Sequence, residues 1–278
     1  MNAASYPPPL DQLFSFSDSP DLFLEDWPDY PNQLGLSDDH IPDLIRIATS
    51  WDVNTKYEHG DLSFWAPVHA WRSLGQMKAT AAIEPLLALF QNADHHDEWV
   101  SEELPDIYGL LGPAAIPALA NYLADPTQGI WARITANDCI QKIGSQNPES
   151  RDRCVEVLTQ QLTAFADNDP QLNGLVVCSL LDLNAVEAAA VMEQAFAANA
   201  VELDLAGDWE DVQISLGLKT ERDTPPPNYA QMSMFADTSA SSPGQSQPTR
   251  GGGGSKNKIR SKNKMAKQSR KKNRKKKK

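Results

Sequence analysis

The tightest constraint on this chain is a helical unit that recurs. WAPVHAWRSLG at 65–75, WVSEELPDIYGLLG at 99–112 and WARITANDCIQKIG at 131–144 each open on Trp and close on Gly. Trp65 and Trp99 are 34 residues apart, and Trp99 and Trp131 are 32 apart. A second apolar helix follows each Gly: AAIEPLLALF at 81–90, AAIPALANYL at 114–123 and RDRCVEVLTQQLTAF at 151–165. A fourth pair reads LNGLVVCSLLDL at 172–183 and AVEAAAVMEQAFAANA at 185–200, and GDWEDVQISLGL at 207–218 closes the series. Helix pairs at this period, with short loops and no strand alternation, predict an all-α superhelix of about four to five pairs. One pair cannot bury its own apolar face, and a stack can. The terminal glycines predict left-handed helix stops. The first helix of the fourth pair is apolar almost all round, which predicts burial on several sides.

Four regions follow. Residues 1–37 are rich in Pro, Asp and aromatics (Phe14, Phe16, Phe23, Trp27, Tyr30) and predict an irregular arm that caps the first helices. Residues 38–218 hold the solenoid. Residues 219–255 form a Pro/Ser/Gly-rich linker, and 256–278 a Lys/Arg-rich tail; both are expected to be disordered.

Charge divides the chain sharply. The net of -12 is the sum of -27 up to Asp237 and +15 from Arg250 onward, where no acid occurs. Such a tail neutralises phosphates and releases counterions. Its expected targets are RNA or the ribosome, an anionic membrane surface, or the acidic solenoid itself. The cations expected to carry this contact are Lys267, Arg270, Lys271, Lys272, Arg274, Lys275, Lys276, Lys277 and Lys278. The tail has no aromatic side chain to stack on bases, which argues against sequence-specific single-strand readout. No run of about 18 apolar residues exists, so no membrane span is expected. The first residues lack the basic and apolar regions of a signal peptide, and a cytoplasmic location is expected.

The chemistry-bearing motifs are few. Cys139, Cys154 and Cys178 lack metal-ligand spacing and read as buried free thiols. Asp94, His95, His96, Asp97 and Glu98 form a compact cluster, read as a solvated inter-repeat turn rather than a metal site. GxSxG, GxxxxGK[ST] and GxGxxG are all missing, so hydrolase and nucleotide chemistry have no support. No catalytic, cofactor-binding or metal-binding residue is assigned. Trp65, Trp99 and Trp131 read first as fillers between repeats and second as binding anchors. On the helix at 99–112, Val100, Leu104, Ile107 and Leu111 make a buried stripe. Trp99, Glu102, Glu103 and Asp106 then share the other face, suited to a basic or amphipathic peptide, and are the candidate protein-binding residues.

WAPVHAWRSLGQMKATAAIEPLL, EWVSEELPDIYGLLGPAAIPALANYLAD, NDPQLNG and GDWEDVQ resemble a group of uncharacterised bacterial HEAT-like repeat proteins. The resemblance spans roughly residues 25 to 220. The repeat style is similar to that of the phycobilisome lyases. The resemblance implies a HEAT-like α-α superhelix and carries no catalytic residue. Relatives of this style that end in a Cys-rich zinc module differ from this chain, which ends in Lys and Arg. The expected function is a non-enzymatic scaffold for a protein partner of basic character, tethered by its tail. The alternative that the resemblance implies is a lyase-like or chaperone-like maturation factor.

Overall fold

The computed structural model describes residues 5–16, 24–52, 61–95 and 97–227. Phe23, His96, the linker beyond residue 227 and all of the tail cations named above lie outside them. The described residues are all-helical, with no strand. The chain divides into two compact units, Met1–Val157 and Leu158–Lys278, so the stretch 38–218 falls into both.

In the first unit, 3-10 turns at Leu10–Ser15 and Leu24–Asp26 precede α1 (Tyr30–Leu34) and α2 (Ile41–Ala48). Then come α3 (Ala66–Gln76), α4 (Ile83–Leu87), α5 (Glu98–Leu111), α6 (Ile116–Ala124), α7 (Ile130–Gln146) and the start of α8 (Arg151–Thr163). α3 is the centre of this unit, with every residue from Ala66 to Gly75 buried. It can be wholly buried because its polar groups are satisfied inside: Ser73 donates to the His69 carbonyl at 2.7 Å, and the Trp71 indole donates to the Ala48 carbonyl at 2.8 Å. On one side α2 buries Leu44, Ile47 and Ala48.

α3, α5 and α7 lie side by side and run the same way. Trp65 meets Trp99, Arg72 meets Glu103, and Gly75 lies under Ile107 and Leu110. One helix further on, Asp106 meets Lys142 and the Gly109 carbonyl meets Asn147. The partners stay 31 to 38 residues apart along the chain, close to the spacing of the tryptophans. The arm packs on α3. Tyr6, Leu10, Leu13, Phe14 and Trp27 are buried, and Tyr30 is fully enclosed.

The glycine stops need correction. Gly75 and Gly144 sit inside helices, and at Gly75 a Cβ would come within 3.2 Å of Leu110, so close packing is the reason for its small size. The left-handed residue after α3 is Lys78, at φ 53°, and the Ala79 N–H returns to the Leu74 carbonyl at 3.0 Å in a Schellman closure. Of the three, Gly112 alone combines a helix end with positive φ, at 79°; Gly35, Gly207 and Gly217 do the same at the ends of other helices.

In the second unit, the remainder of α8 is followed by α9 (Pro170–Asp182), α10 (Ala189–Ala197), α11 (Leu203–Ala206) and α12 (Trp209–Leu216). α9 is buried from Leu172 to Val177, on several sides as its composition implies. Asn173 holds its surroundings: its amide donates to the Phe165 carbonyl at 2.9 Å and the Ala200 carbonyl at 2.7 Å, and its oxygen accepts from Asn168 at 3.0 Å. These bonds satisfy carbonyls where the chain turns, beyond the reach of helical pairing.

Candidate interaction face

α5 begins at Asp97, whose carboxylate accepts from the Val100 N–H at 3.3 Å and from the Trp51 indole at 2.5 Å. One oxygen thus caps the helix, and the other fixes an aromatic line. Trp71, Trp51, Phe64, Trp65 and Trp99 follow one another edge to face, with centroids 4.7 to 5.3 Å apart. Edge-to-face contact is the favoured geometry for rings with a negative face and a positive rim. Trp65 is buried and Trp99 half-buried at the end of that line.

The four candidate residues on α5 do not share one open face, which corrects the expectation drawn from helical spacing. Glu102 is exposed. Glu103, one residue on, turns inward and takes both Arg72 nitrogens, Nε at 3.0 Å and Nη2 at 2.7 Å. The Arg72 side chain is 0% exposed, and its guanidinium carbon lies 4.8 Å from the Trp27 ring centroid. A buried guanidinium stays charged and needs a carboxylate to offset its lost hydration, and the fork-to-fork geometry supplies one. Burial pushes the Glu103 carboxyl up, Arg72 opposes that push, and Asp106 and Glu102 reinforce it. Asp106 is half-buried and pairs with Lys142 at 2.6 Å, with Gln146 at 3.3 Å beside it. What reaches the surface is therefore Glu102 with the exposed Glu98, the half-exposed Trp99, and a carboxylate already joined to a lysine. Val100, Leu104, Ile107 and Leu111 are buried beneath them.

The histidine and carboxylate cluster also separates. Asp94 reaches α7, where it accepts from the Trp131 N–H at 2.8 Å, while Asp97 caps α5 and His95 is exposed. The chain approaches so closely there that a Cβ on Gly129 would overlap the Asp94 carboxylate. Asp94 and Asp125 add to the burial that pushes the Tyr122 phenol up to about 12. Among the described residues no three His, Cys, Asp or Glu side chains gather as metal ligands. Cys139 and Cys154 are buried thiols outside any disulfide, with burial pushing Cys154 up to about 11, and Cys178 is half-buried. No single helix among the described residues is long and apolar enough to cross a membrane.

Two arrangements escaped the sequence reading. Arg72 and Glu103 carry no motif; their only signal is opposite charge at similar depth in successive first helices. The second is in the second unit, where the chain after α12 folds back on that helix. Arg222 bridges Asp208 at 2.5 Å and Asp211 at 2.9 Å, with Glu210 at 3.3 Å, and Lys219 pairs with Glu210 and with Asp223 at 2.6 Å. No family model, curated protein or solved structure matches this chain.

Proposed function

We propose that the chain is a non-enzymatic scaffold built on an acidic HEAT-like α-solenoid, which binds a basic protein segment and is tethered to a polyanion by its Lys/Arg tail. The observation that carries the reading is how the body's charge is distributed. The described residues up to Val157 hold 21 acids and 7 bases, and those from Leu158 hold 12 and 2. Most of those few bases are already joined to carboxylates of the body: Arg46, Arg72, Lys142, Arg151, Arg153, Lys219 and Arg222. The acid excess therefore faces solvent as a negative field that attracts cations and repels phosphate. The side-by-side, same-direction packing of α3, α5 and α7 supports the solenoid. Trp99, Glu102 and Glu98 are the proposed contact residues, with Asp106 reached by exchange of Lys142.

The test uses two proteins, the full chain and one ending at Thr249. Each is titrated with an oligolysine peptide and with single-stranded RNA at rising salt. The reading expects both proteins to take the peptide. It expects only the full chain to take RNA, with affinity falling steeply as salt rises. RNA binding retained without the tail, or no peptide binding by either protein, overturns it.

A further inference from the structure

The two sides of α3 are built from different chemistry. Toward α2 the contact is apolar, through Leu44, Ile47 and Ala48. Toward the arm, α3 presents His69, Arg72 and Gln76, three polar residues at i, i+3 and i+7 that share one stripe of the helix. An apolar face cannot be uncovered without losing its hydrophobic stabilisation, whereas a polar one can be wetted.

The way this stripe holds residues 27–30 is that of a groove holding a peptide. The Gln76 side chain grips main chain in both senses: Nε2 donates to the Pro28 carbonyl at 2.8 Å, and Oε1 accepts from the Tyr30 N–H at 2.9 Å. The Tyr30 ring is fully buried, with its hydroxyl 2.8 Å from His69 Nδ1. Trp27 lies over Arg72. Two aromatic anchors and a two-way main-chain grip are the features that give short peptides affinity and register. Beneath them Arg72 is matched by Glu103, a residue of α5, so the floor keeps its charge balance without the arm.

We propose that the His69, Arg72 and Gln76 stripe of α3 is a peptide-recognition groove, that residues 27–30 are its resident intramolecular ligand, and that the groove accepts a partner protein's segment of the same chemistry: Trp, then Tyr three residues on, with Pro between them and a carboxylate beside the Tyr. This site is distinct from the acidic face of α5 and takes a different class of peptide, so either can fail alone.

The experiment keeps the full chain and weakens the resident ligand with Trp27→Ala and Tyr30→Ala together. A labelled synthetic peptide of residues 24–36 is then titrated by fluorescence anisotropy, with circular dichroism recorded on each protein. The expected result is saturable binding to the double variant and none to the wild type, whose groove is filled. Adding Gln76→Ala should weaken binding about tenfold, the effect of losing two ordinary hydrogen bonds. A double variant that keeps its helical signal yet binds no peptide overturns the proposal. So does one that loses its helical signal, because residues 27–30 are then part of the core. Equal binding to wild type and variant overturns it as well.

Discussion

Arg72 in the first unit and Arg222 in the second hold carboxylates from other parts of the chain under opposite conditions. Arg72 has one carboxylate, fully buried, gripped through two nitrogens and covered by an indole. Arg222 has three carboxylates around it, near the surface, on the segment that folds back on α12. A count of contacts ranks Arg222 first. The physics ranks it second. In the interior, an unpaired charge has no water to fall back on, so each partner makes the other indispensable. At the surface, water and salt replace whatever is lost.

The largest effect should therefore come from breaking the buried pair on one side. Arg72→Ala leaves Glu103 buried without its cation and should cost about 3–5 kcal/mol, read as a lower urea midpoint. Replacing both members, Arg72→Met with Glu103→Leu, should recover most of that loss, because an apolar pair needs no compensation. If the double variant is as unstable as the single one, the pair is more than a matched buried charge and the contrast with Arg222 is misdrawn.

The helices themselves were legible because their signals are local. Period, caps and apolar stripes placed the helix at 99–112 against an observed Glu98–Leu111, and that at 131–144 against Ile130–Gln146. The pairing across helices was not legible. Arg72 lies seven residues after Trp65, and Glu103 lies four after Trp99, so aligning the repeats does not bring them together. Their meeting depends on the stagger of α3 against α5. Helical spacing placed Glu103 on the outer face with Glu102, whereas the position of α3 decides which of the two adjacent carboxylates is buried. Glycine misled for the same reason: Gly75 is small because of α5, not because α3 must end there.

Asp94 makes a third kind of contact. It is a half-buried carboxylate bound to a helix amide rather than to a cation. Gly129→Ala would drive a methyl into that carboxylate and should cost roughly 1–3 kcal/mol by displacing it. Asp94→Ala should cost about 1 kcal/mol, the usual loss of a helix-capping side chain. The two should not add: with the carboxylate gone the methyl has room, so Gly129→Ala should cost less in the Asp94→Ala background. Additive losses would mean that the close approach at Gly129 is not set by Asp94.

Arg222→Ala should give the smallest loss of the four, and salt and pH should both expose its surface character. In about 1 M salt, where screening acts over roughly 3 Å, the difference between variant and wild type should nearly vanish, whereas that for Arg72→Ala should persist. The pH response follows from which way each carboxylate is shifted. Hydrogen bonding from Arg222 holds Asp208 below the usual carboxylate range, and hydrogen bonding from Lys219 and Thr224 does the same for Glu210. A lowered carboxyl adds stability that is complete above its unfolded value and lost as pH falls through its folded one. Glu103 is shifted upward by burial, so its contribution is complete below its unfolded value and declines as pH rises through its folded one. Acid should then weaken the wild type through the second unit's cluster and not through Glu103. Arg222→Ala should flatten that acid-side decline below about pH 4, close to the unfolded carboxylate value. Denaturant midpoints of wild type and variant from pH 5 to pH 2.5 measure it, and parallel curves would show that the cluster at α12 does not stabilise the fold through its charges.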